Sequence, residues 1–307
     1  MRLAVQAIAD ELRRLKSAGV RTVAVSEESV AALRRALADA APEAAGSNPG
    51  SAGGAVARPA PAAVAPPVVR KVEAPRAEAS APSLPAPPSF ALPPGDKPAR
   101  WNALLTLVQN DAICRANVRP GKKVVLGVGN LEAKIMFVGE APGAEEENQG
   151  EPFVGPAGQL LTKMILGMGV KREEVYIGNI VNWRPQMPTA EGREQVGNRP
   201  PSEDEMRYCL PYLRAQVEIV RPVLLVALGK TALEGLLGFG KFKTLGEARG
   251  QWHDFGGTPL MVTYHPSYIL REPTNRKKRM IWEDLLKVME RAALPISEKQ
   301  RGFFLEK

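Results

Sequence analysis

A chain of 307 residues with 28 prolines and 28 glycines has room for one well-buried domain beside segments that do not fold. Two cysteines exclude a disulfide framework and point to a reducing compartment, and no apolar run approaches the roughly 18 residues of a membrane span. A formal charge of +8 suits a polyanionic partner, because lysine and arginine set against phosphates displace condensed counterions.

Residues 1–40 carry apolar side chains at helical spacing, with Leu3, Ile8, Leu12 and Leu15 followed by Val30, Leu33 and Leu37, which predicts two short helices around Gly19. Asp10, Glu11, Arg13 and Arg14 interrupt the run before it can act as a secretory signal, so the protein is expected in the cytoplasm. Residues 41–98 turn to Ala, Pro, Gly and Ser. Such a composition cannot offset the entropy of ordering the backbone, so a disordered linker is expected, tethering a segment (1–40) that recruits a protein partner.

From Trp101 onward, apolar runs of strand length alternate with helical stretches, the signature of an α/β domain with a largely parallel sheet over 99–293. Four strands are predicted, at 135–138, 175–180, 223–228 and 260–264, with helices at 157–168, 203–220, 230–237 and 277–293. Residues 294–307 read as a tail. Ligands of open parallel sheets sit beyond the carboxyl ends of the strands, which directs attention to the loops after them.

Those loops read Gly139-Glu140-Ala141-Pro142-Gly143, Gly150-Glu151-Pro152-Phe153-Val154-Gly155, Ile177-Gly178-Asn179 and His265-Pro266-Ser267-Tyr268. In this order they resemble the motifs of the family-4 uracil-DNA glycosylases of bacteria and archaea. The resemblance runs from about Cys114 to Leu286. It implies a three-layer α/β/α sandwich around a central, mostly parallel four-stranded sheet.

It also implies roles that the chemistry of base excision requires: a flipped base must be stacked, read along its polar edge, and stabilised as it leaves with negative charge. By resemblance Phe153 is the stacking platform, with Gly139 and Ala141 beside the substrate. Asn179 reads the edge of uracil, its amide offering both a donor and an acceptor. His265 faces the departing oxyanion. Glu140 stabilises the sugar or orients water, although Ala141 stands where a better-known type of uracil glycosylase has an aspartate. Ser267, with Pro266, fixes the loop against DNA. Glu145, Glu146 and Glu147 read as a solvated acidic face, with Glu147 a secondary catalytic candidate.

The chain departs from that family at the cysteines. Typical members hold a [4Fe-4S] cluster on four thiolates, and the matching positions here read Asp111, Cys114, Trp183 and Cys209. No cluster and no other cofactor are therefore expected. Trp183 is expected to fill the cluster's volume, and the two cysteines to be core residues. Residues 185–201 exceed the family's loop; Arg184 and Arg199 are expected to face DNA. Beyond the histidine loop, Ile269 and Leu270 are candidates for a wedge in the base stack and Arg271 for a phosphate contact, with Arg276, Lys277, Lys278 and Arg279 extending the basic stretch.

The function expected is a monofunctional, monomeric uracil-DNA glycosylase acting on uracil-containing DNA. A non-catalytic module that holds uracil or single-stranded DNA on the same fold stays open, kept alive by Ala141 and the missing cysteines. A nucleotide-processing enzyme is disfavoured: Gly229-Lys230-Thr231 lacks the upstream glycine loop of a phosphate-binding motif and reads as a helix start.

Overall fold

The computed structural model describes residues 84–189 and 193–305; the two helices expected within 1–40 and most of the expected linker lie outside them. In chain order the helices are α1 (Lys97–Asn110), α2 (Ala112–Ala116), α3 (Ala144–Gln149), α4 (Pro156–Gly167), α5 (Glu203–Val220), α6 (Lys230–Leu237), α7 (Leu245–Ala248), α8 (Ser267–Arg271), α9 (Asn275–Arg291) and α10 (Glu298–Arg301). The strands are β1 (Val128–Gly129), β2 (Ile135–Gly139), β3 (Tyr176–Asn179), β4 (Leu224–Leu228), β5 (Trp252–Phe255) and β6 (Thr258–Thr263).

The sheet has six strands in the order β1-β3-β2-β4-β6-β5. The four expected strands form its parallel centre, and β1 and β5 add antiparallel edges that the four-strand expectation lacked. All five residues of β2 and of β4 are buried, as a strand covered on both faces must be.

Alternate side chains feed two cores. Met136 and Val138, Leu225 and Ala227, and Leu260 and Val262 pack with α1, α5 and α6. Ile135 and Phe137, Leu224 and Val226, and Met261 pack with α4 and α9 on the other face. The result is a three-layer α/β/α sandwich, built by the two-residue period of the strands.

Edge strand β5 joins β6 through Gly256-Gly257, both at positive φ (58° and 87°), between the paired residues Phe255 and Thr258. Two left-handed residues make the tight primed turn whose twist suits a hairpin, and glycine enters that region without a Cβ clash.

The limits of the domain move outward at both ends. Leu84, Phe90 and Leu92, read as linker, pack on the first core, and the Phe90 ring stacks on Tyr212 at 5.4 Å. Asp96 caps α1 by accepting from the Ala99 amide at 2.8 Å. At the other end the expected tail folds back: Trp282 Nε1 donates to the Gln300 carbonyl at 2.6 Å, and the Phe303 ring lies 5.1 Å from the indole.

Strand order locates the ligand site. The chain steps from β2 to β3 on one side and then crosses to β4 on the other, so the connections leave β2 and β4 in opposite directions. Such a switch point opens a crevice at the carboxyl ends of those strands. Glu140 follows β2 there, and Gly229-Lys230-Thr231 follows β4.

Candidate active site

A cavity of about 600 Å³ occupies the switch point, with Glu140, Phe153, Asn179, Thr231, His265 and Arg271 among its walls. Four loops distant in sequence meet here because each leaves the same end of the sheet.

Phe153 is buried and holds a left-handed backbone at φ 56°, a conformation that a bulky residue keeps only where its surroundings enforce it. Two glycines give it room. A Cβ on Gly158 would fall 1.8 Å from the Phe153 carbonyl oxygen, and one on Gly139 would fall 2.4 Å from the Phe153 ring and 2.5 Å from Asn179 Oδ1. Gly139 thus lets an aromatic face and a carboxamide converge at the end of β2. Asn179 ends β3, and its Oδ1 is buried without a hydrogen-bond partner in the protein. A buried acceptor left unmade costs about 1–3 kcal/mol, which a donor on a bound molecule recovers.

His265 sits beyond β6 with its ring 5.6 Å from that of Phe153. The Ser267 amide donates to His265 Nδ1 at 3.2 Å, and Ser267 Oγ lies 2.9 Å from the same nitrogen. A backbone N–H can only donate, so Nδ1 is the bare nitrogen and Nε2 carries the proton. Burial, reinforced by the Arg271 charge, lowers the imidazole pKa to about 4. The ring is therefore a neutral N–H donor at physiological pH.

Glu140 is held by Thr231, whose Oγ1 donates to Glu140 Oε2 at 2.9 Å. Burial raises its carboxyl above the ordinary range, and the Thr231 hydrogen bond opposes that rise. Ala141 lines the cavity without a group that can activate water.

Of the acidic run after Pro142, Glu145 is exposed as expected, whereas Glu146 and Glu147 are buried. Glu146 is buried and accepts three backbone N–H groups, from Gly143 at 3.0 Å, Val154 at 3.1 Å and Gly155 at 3.0 Å. One carboxylate thereby ties the Glu140 loop to the Phe153 loop. Glu147 is buried against Arg184 at 2.8 Å, which accounts for its charge without a catalytic part.

Arg184 also donates to Asn198 Oδ1 and to the Gly197 carbonyl, both at 2.8 Å, so its guanidinium is engaged inside the protein and does not face DNA. Arg199 lines the cavity but makes a two-toothed ion pair with Glu205, at 2.7 and 2.8 Å. Both arginines pin the 185–201 loop. Ile269, expected as a wedge, is buried in the second core and cannot reach a base stack; Leu270, the next residue, is 43% exposed. Arg271 is exposed at the mouth.

Thr231 and Glu146 escaped the sequence. Thr231 was read as a helix start, and only the crossing of β4 beside β2 reveals what it touches. Tyr264 and Tyr268, stacked at 4.4 Å beside the histidine, line the same wall.

The positions matched to cluster ligands also meet, away from this cavity. Cys114 and Cys209 are fully buried and reduced. Asp111 accepts from the Cys114 amide at 2.7 Å and from the Tyr208 hydroxyl at 2.9 Å. Trp183 is wholly buried, with Nε1 3.3 Å from Glu205 Oε1.

An aromatic ring, a buried acceptor without a partner, a neutral N–H donor and a half-buried carboxylate thus gather at the switch point of an α/β sheet. Comparison with known proteins is specific. The profile described as the uracil DNA glycosylase superfamily matches residues 126–286. A type-4 uracil-DNA glycosylase of Thermotoga maritima is 44% identical over 165 residues, covering 53% of this chain and 80% of the relative. One of Saccharolobus solfataricus is 41% identical over 176 residues, 55% of this chain and 76% of the relative. A type-5 uracil-DNA glycosylase of Pyrobaculum aerophilum is 32% identical over 170 residues, 54% of this chain and 73% of the relative. The chain belongs to the uracil-DNA glycosylase superfamily. No helix among the described residues is long and apolar enough to cross a membrane.

Proposed function

We propose that the chain hydrolyses the bond between uracil and deoxyribose in DNA and leaves an abasic site. The observation that carries this reading is the orphaned Asn179 Oδ1, which lines the same cavity as the Phe153 ring and the His265 donor. Uracil presents a planar face with an N–H flanked by two carbonyls, and the three groups complement that pattern.

The flipped base stacks on Phe153. Asn179 accepts from the ring N–H and donates to the neighbouring carbonyl, and His265 Nε2–H donates to the other carbonyl. As the N1–C1′ bond breaks, its electron pair leaves with uracil, and the neutral imidazole stabilises the resulting oxyanion without surrendering its proton. The water oxygen bonds to C1′, and Glu140, made more basic by burial, takes the proton released. The Ser267 amide keeps the histidine in the donating tautomer. Arg271 at the mouth serves the phosphates, and the neighbouring exposed Leu270 the gap left by the base. The reading extends to a monomer, to a reducing cytoplasm, with which the two free buried thiols agree, and to residues 1–40 as the segment that recruits a protein partner.

The test is incubation of the full chain with a uracil-containing oligonucleotide followed by alkali cleavage. Strand breaks at uracil, lost in His265→Ala, are expected. Uracil-dependent binding without breaks would replace this reading with the non-catalytic module.

A further inference from the structure

The family resemblance implies a [4Fe-4S] cluster, yet the residues at its four positions do not fit one. Iron-sulfur clusters take thiolates. Two of the four positions carry a carboxylate and an indole, and an indole offers only an N–H. Among the described residues no grouping of three or more His, Cys, Asp or Glu side chains is arranged to hold a metal ion.

What the corner does contain is a connected set of interactions, beside which the Tyr212 hydroxyl is buried without a partner. The indole of Trp183 is completely buried, 6.2 Å from the ring of Tyr208. Tyr208 in turn donates to Asp111, which caps α2 through the Cys114 amide. Glu205 accepts from Trp183 Nε1, from both Arg199 nitrogens and from the Ser202 amide at 2.7 Å. Two segments are thus joined to α5: the Asp111–Cys114 turn through Tyr208 and Cys209, and the loop after β3 through Trp183 and Arg199. Residues at both non-cysteine positions participate.

We infer that this chain closes the corner with a metal-free staple, in which Trp183 supplies bulk and the Asp111–Tyr208 and Trp183–Glu205–Arg199 contacts supply direction, in place of the cluster. The inference concerns architecture and is independent of the glycosylase reading, since its measurements need no DNA.

The full chain, purified under anaerobic conditions, is assayed for iron and acid-labile sulfide, and its melting temperature is taken with and without a strong iron chelator. The expected result is no cluster-level iron or sulfide and no shift with chelator. Trp183→Ala is expected to melt roughly 10 °C lower and to be cut more readily by protease within 185–201. Trp183→Phe, which keeps the ring but loses the N–H to Glu205, guards against failure of the alanine variant to fold and should melt a few degrees lower. Iron and sulfide at cluster stoichiometry, or a melting temperature that falls with chelator, overturn the inference. So does a Trp183→Phe protein that melts and is proteolysed as the wild type.

Discussion

The switch-point cavity and the Trp183 corner are both made of loops meeting at helix and strand ends, but they are completed in opposite ways. In the cavity a carboxamide oxygen is buried without a partner, a phenylalanine keeps a left-handed backbone, and an imidazole is held neutral by burial. In the corner Asp111, Glu205 and Trp183 find their partners within the chain. Unmade bonds and backbone strain cost stability and persist where a ligand repays them, whereas satisfied bonds around a buried ring hold a fold together.

That contrast breaks if cavity substitutions act mainly on stability. His265→Ala should show the largest effect, lowering kcat by roughly 10²–10³-fold in an abasic-site assay while the melting temperature stays near that of the wild type. Asn179→Ala should lower kcat/KM roughly ten- to hundredfold, again with little loss of stability, because its Oδ1 bonds to nothing in the protein. A large fall in melting temperature for either would move that residue into the structural class.

Glu146→Ala sharpens the boundary, since Glu146 lines the cavity by position but resembles the corner residues in having its hydrogen bonds made within the chain. Deleting the acceptor of three buried or half-buried amides should lower the melting temperature by several degrees and weaken activity as the Phe153 loop loosens. Thr231→Val should have the smallest effect. The Thr231 hydrogen bond lowers the Glu140 pKa against burial, so its loss raises that pKa further. The acid limb of the pH–kcat/KM profile should then move to higher pH, with only a modest change at the optimum. An unmoved limb would mean that Glu140 does not control it.

How much of this was readable from the sequence follows the same division. The central strands were legible because a strand buried on both faces needs an unbroken apolar run, as in Ile135–Gly139 and Leu224–Leu228. Edge strand β5 was not, since its Trp252 and His253 are only partly covered, its Asp254 is exposed, and polar and apolar residues mix along it. The cavity residues were placed by motifs lying in loops. Glu146 was misread because three consecutive glutamates look solvated, and only the return of the Val154–Gly155 amides reveals an acceptor's place. On a helix as short as α8, spacing did not tell buried Ile269 from exposed Leu270. Leu84, Phe90 and Leu92 were lost among prolines, where the composition of the whole stretch outweighed three side chains that pack.

The Ser267 amide has a consequence for how the protein meets acid. Protonating His265 means breaking that contact and charging a desolvated ring, which the fold resists down to about pH 4, whereas an unfolded chain accepts the proton near pH 6.5. The unfolded state therefore binds the extra proton first, and between those values each step toward acid weakens the native state. Over that interval the native ring stays a neutral N–H donor, and acidity acts on this group through the stability of the fold.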